Sequence, residues 1–150
     1  MNVLNTAEQI ALELSARVSE ISIANGYNTD VGSRNYRGRL KIDQDDIPCC
    51  VVVEGADSIG KTSGLRNIQV FQEYVIGGYS VCDPDNPNDT AHKIIKDLKR
   101  AVFKDGTTWG GKVRSIEYKG RNIGPRSDGV SVVFAVIHIH VEYAEDLTNP

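Results

Sequence analysis

The stretch from Val130 to Tyr143 constrains this chain more than any other. Val133, Ala135, Ile137, Ile139, Val141 and Tyr143 recur at every second position and form one wholly apolar face. The alternate positions are apolar at Val132, Phe134 and Val136, then polar at His138, His140 and Glu142. Such a pattern belongs to a strand, buried on both sides along half its length and on one side along the rest. The fold must therefore supply a sheet and something to cover it.

Two amphipathic helices are predicted to provide the cover. Thr6-Ala-Glu-Gln9 reads as a capping box, with Thr6 as N-cap. Ile10, Leu14, Val18 and Ile21 then make one apolar stripe, with Glu8, Glu13, Arg17 and Glu20 off it. Asn25-Gly26 reads as the stop, since glycine accepts a left-handed conformation. A second helix is expected after the hydrophilic loop Cys82–Asp89, capped by Asp89 or Thr90. Its buried side is Ile94, Ile95, Leu98, Ala101 and Val102, and its exposed side is lysine-rich. Asp105-Gly106 ends it.

The remainder reads as β. Ser33–Ile42, with Arg34, Arg37, Arg39 and Lys41, suits a charged edge strand. Cys49–Glu54 is a buried strand. Strands are also predicted for about Arg66–Ile76, interrupted by Gly77-Gly78, and for Lys112–Lys119. Gly120–Gly129 is expected to be a polar connection. The fold class is α+β: a mainly antiparallel or mixed sheet with two helices on one face, in a single domain spanning residues 1–150.

One motif points elsewhere. Gly55-Ala-Asp-Ser-Ile-Gly60-Lys61-Thr62 fits the phosphate-binding pattern G-x-x-x-x-G-K-[ST] after an apolar strand. That chemistry needs a helix N-terminus aimed at the phosphates. Gly64 and the two-residue alternation of Ile68 and Val70 predict a strand instead. No later strand of four apolar residues ends in Asp to hold Mg²⁺. The segment is expected to be a Gly/Ser-rich loop between strands.

Composition narrows the remaining classes. A net charge of −3 argues against a general nucleic-acid binder. The cysteines, Cys49, Cys50 and Cys82, are odd in number and imply no disulfide framework, which fits folding in a reducing compartment. No apolar signal core and no membrane-length apolar run is present in the sequence.

Candidate chemistry is sparse. His138 and His140 share a strand face with Glu142 next in line, so a metal site is conceivable. Three in-line strand ligands close a site poorly, and a polar patch or subunit contact fits better. His92 is expected to be solvated. Trp109, within Gly106-Thr-Thr-Trp-Gly-Gly111, is either a lid on the core or an interface anchor. Arg121 and Arg126 flank Gly124-Pro125 in a loop suited to partner contact. With Ser58 and Lys61, these residues (Trp109, Arg121, Arg126, His138 and His140) make the candidate interface set. No catalytic, cofactor or metal residue is assigned.

The helix leading into Ile23-Ala-Asn-Gly-Tyr-Asn-Thr-Asp-Val-Gly32 resembles that of tail terminator proteins of long-tailed bacteriophages. So does the finishing strand Phe134–Tyr143 with Ala-Glu-Asp-Leu-Thr-Asn-Pro150 after it. The order between them is similar: an Arg-rich strand, Pro48 then Val-Val-Val-Glu-Gly55, a hairpin and a second helix. The likeness spans nearly the whole chain, and its motifs are structural. It implies a non-enzymatic virion protein without a cofactor, made in the host cytoplasm and placed at the head-proximal end of the tail. Its implied partners are its own copies in a hexameric ring, the tail tube protein and the head-completion or connector protein. DNA would pass through the lumen without sequence-specific contact, and no membrane is involved. The alternatives are another neck or head–tail joining protein, a nucleotide-binding protein using Gly55–Thr62, and a metal-binding module at His138/His140.

Overall fold

The computed structural model describes residues 6–39, 41–126 and 129–150. Leu40, within the predicted Ser33–Ile42 strand, lies outside the described residues. So do Ser127 and Asp128, within the predicted Gly120–Gly129 connection. The chain folds as α1 (Thr6–Ser19), β1 (Asn35–Arg37), β2 (Cys49–Ser63), β3 (Asn67–Val81), α2 (Pro87–Phe103), β4 (Ser115–Ile123) and β5 (Val132–Asp146). The strands form a five-stranded sheet in the order β1-β2-β3-β5-β4. β1 runs parallel to β2, and every other pair is antiparallel. This is the expected α+β class with a mixed sheet.

The alternation in Val130–Tyr143 gives the sheet its buried side. Val133, Ala135, Ile137, Ile139, Val141 and Tyr143 are all buried, as predicted. Register carries that face across the sheet in rows: Cys50, Gly78 and Ala135; Val52, Ile76 and Ile137; Tyr74 and Ile139. Ile10, Ala11, Leu14 and Val18 of α1 close over it together with Ala91, Ile94, Ile95, Leu98, Ala101 and Val102 of α2. Each buried aliphatic side chain contributes about 1.5–3 kcal/mol relative to exposure, so this layer dominates stability.

Several boundaries differ from the sequence reading. The predicted Gly/Ser-rich loop is strand: β2 continues through Gly55–Thr62 to Ser63, and only Gly64, Leu65 and Arg66 turn. Long-range pairing with β3 overrides the weak local preference of Gly55 and Gly60, and two register shifts take up the irregularity. Gly77-Gly78 does not interrupt β3. An added Cβ at Gly77 would lie 2.5 Å from the Phe134 ring, and one at Gly78 would lie 2.7 Å from Ile94 Cγ2. Glycine is there because both faces of the strand are closely approached.

The predicted edge strand Ser33–Ile42 shrinks to Asn35–Arg37, with a 3₁₀ turn over Val31–Ser33. β4 is displaced toward the C-terminus, so Gly120–Ile123 is strand rather than connection, and β5 extends to Asp146. Thr6 is already helical, and α1 ends at Ser19. Gly26, at φ +87°, closes a separate 3₁₀ turn (Ile23–Asn25) in which the Ser22 hydroxyl accepts from Asn25 N. α2 starts earlier than predicted, with Asn86 preceding Pro87 in its first turn.

Candidate functional site

The face of the sheet opposite the helices carries two of the candidate residues, His138 and His140. Cys49, Val51 and Val136 are buried on it yet stand apart from the helix-covered core. Around them Val53, Val75, Tyr79 and Phe134 are half-buried. Tyr79 and Phe134 pair across β3 and β5, and their rings stack with centroids 4.2 Å apart. Among the described residues no α-helix packs on this apolar half of the face.

The other half is polar. His140 sits between Glu73 on β3 and Glu117 on β4, and its Nε2 lies 3.3 Å from Glu73 Oε1. Lys119 Nζ is 3.0 Å from Glu117 Oε1. His138 lies between Val75 and Gly120 in the register. Thus His138 and His140 point from one face but meet different neighbours. Among the described residues no group of three His, Cys, Asp or Glu side chains is placed to hold a metal. Glu73 and Glu117 escaped the sequence reading because only strand register brings them beside His140.

The remaining candidates are scattered. Ser58 and Lys61 are exposed on β2, and Lys61 N donates to Gln69 Oε1 at 3.0 Å. The chain after Thr62 turns into β3, so the helix that a phosphate-binding loop requires does not follow this segment. Its backbone lies in the β2–β3 ladder rather than curling into a phosphate nest. Arg121, on β4, reaches the first turns of α2, where its Nη1 is 3.2 Å from His92 Nδ1. Arg126 donates to the carbonyls of Pro84, at 2.9 Å, and Val130. It thereby holds the Cys82–Asn86 loop.

Trp109 is corrected from the interface set. Only 2% of it is exposed. Its Nε1 donates to Val102 O at 2.8 Å, and the Arg17 guanidinium stacks 4.9 Å from its ring. It is a lid over the core. Arg17, expected on the solvent side of α1, is accordingly buried, and it pairs with Glu13 and Asp105.

Ionisation fits structural roles at the cysteines. Burial, then proximity to Cys49, pushes the Cys50 thiol up to about 12. Burial, then proximity to Asp46, pushes Cys49 up to about 11. Neither is poised as a thiolate nucleophile at neutral pH. All three cysteines are free and buried.

No protein-family model matches the chain, and no curated protein matches it significantly. No helix among the described residues is long and apolar enough to cross a membrane.

Proposed function

We propose that the protein is a structural tail terminator of a long-tailed bacteriophage, forming a ring on the head-proximal end of the tail tube. The carrying observation is the sheet face that neither α1 nor α2 covers. Val53, Val75, Tyr79 and Phe134 leave an apolar half beside the polar row Glu73, His140 and Glu117. Apolar surface rimmed by charge fits a protein contact. A ring also needs two different complementary patches on each protomer, and a sheet with long strands separates its two ends widely. The sequence resemblance supports the same reading. In this role the ring stops tube polymerisation and presents a surface to the head-completion protein, and DNA passes through the lumen.

Light scattering and negative-stain microscopy of the purified protein, alone and with tube protein, test the proposal. Closed rings are expected. A strict monomer at every concentration, including with tube protein present, overturns it. Another neck or head–tail joining role shares this fold logic, and co-purification with tube or head-completion protein separates the two. Titration of ATP or GTP with Mg²⁺ addresses the nucleotide reading, since tight binding abolished in Lys61→Ala would replace the structural one.

A further inference from the structure

We infer that copies of this chain join end to end, with the Asp83–Asp85 loop of one copy seated in a groove beside Lys61 and Arg114 of the next. The contact rests on the ring reading above and names its two surfaces.

The groove lies at the β2–β3 turn end of the sheet and has a volume of about 340 Å³. Ile68 and Ala144 contribute apolar walls, and Lys61 and Arg114 contribute two cations. No carboxylate is among its described lining residues, and neither cation pairs with one among the described residues. Leu65, fully exposed at the turn, and Leu147, half exposed, stand at the same end, where Leu147 N donates to Arg66 O.

The opposite end carries the complement. Asp83 and Asp85 are exposed in the Cys82–Asn86 loop, and Asp89 follows in α2. The loop is already ordered. Asp85 N donates to Asp83 Oδ1 at 2.9 Å, Asn86 N donates to Asp83 O at 3.1 Å, and Arg126 holds Pro84 O. Little conformational freedom is left to lose on docking. Ile23 and Val81, 60% and 63% exposed, give this end apolar surface as well.

Geometry excludes self-filling. β3 begins beside the groove at Asn67 and ends at Val81, directly before the loop. Fifteen residues of strand separate them, a span of roughly 45 Å at the usual rise. Only another copy can present the loop to the groove. The contact is therefore head-to-tail, the type that closes into a ring when the rotation permits.

Two paired variants test this: Lys61→Ala/Arg114→Ala and Asp83→Asn/Asp85→Asn, with Asn keeping the acceptor that orders the loop. Each alone is expected to raise the concentration for half-assembly by roughly tenfold or more. Each variant keeps one intact surface. An equimolar mixture should therefore give 1:1 dimers in sedimentation, which also shows that both variants are folded. Wild-type-like rings from either variant overturn this contact and leave the ring reading standing. A mixture without dimers, while wild type forms rings, also overturns the contact alone. A wild type that never assembles, with or without tube protein, overturns both.

Discussion

Asp97 anchors the segment that follows α1. It is fully buried in α2, and its carboxylate accepts from Asn28 N, Asn28 Nδ2 and the Thr29 hydroxyl. It fixes the segment after α1 to the second helix. Asp97→Ala leaves the buried Thr29 hydroxyl without its acceptor and should cost about 3 kcal/mol, read as a lower urea midpoint at unchanged slope. Trp109→Ala should cost about 3–5 kcal/mol by the same measurement. Asp146 gives a pH signature. Its bond with the Arg66 guanidinium, followed by the Thr148 hydroxyl and N–H, holds its carboxyl at about 2. Because the folded value is depressed, its contribution to stability is complete above the ordinary carboxylate range. That contribution is lost as pH falls toward about 2. Carboxyl NMR titration should place Asp146 near that value, and Arg66→Ala should move it back toward the ordinary range.

At the scale of elements, β3 is the centre of the molecule, paired along its length with β2 and β5. Its amides from Val70 to Tyr79 should exchange slowest with solvent, and those of Gly55–Ser63 in β2 faster, because the β2 ladder is broken twice there. Gly78→Ala should destabilise by about 1–3 kcal/mol, since the new Cβ meets Ile94 Cγ2 at 2.7 Å and drives α2 off the sheet. Periodicity made both helices, the buried face of β5 and the absence of a helix after Thr62 legible in the sequence. It missed the strand character of Gly55–Thr62, because glycine, aspartate and serine there carry no β signal and only the partner strand defines them. It also misread Gly77-Gly78 as a break, since a glycine at a tight crossing and a glycine at a turn look alike in one dimension. Of the candidate site, His138 and His140 were visible by spacing. Glu73, Glu117 and the hold of Arg126 on the Pro84 carbonyl were not, since they lie far apart in the chain.

The whole molecule presents one sheet face under the helices, one without them, and two unlike ends. Ends joined by carboxylates and cations are weakened by salt when the groups stay near solvent. Raising NaCl from roughly 0.05 to 0.5 M should therefore shift the wild type toward monomer, followed by sedimentation, while Asp83→Asn/Asp85→Asn should show a flatter response. The outer margin of β2 has a further consequence. β1 pairs with it only from Cys50 to Val52, and among the described residues no strand pairs with that side of the run from Val53 to Ser63. A straight, greasy margin of that length would let molecules zip into fibrils. Here it is kinked in two places and studded with Glu54, Asp57 and Lys61. Sideways pairing of copies along this margin is thereby disfavoured.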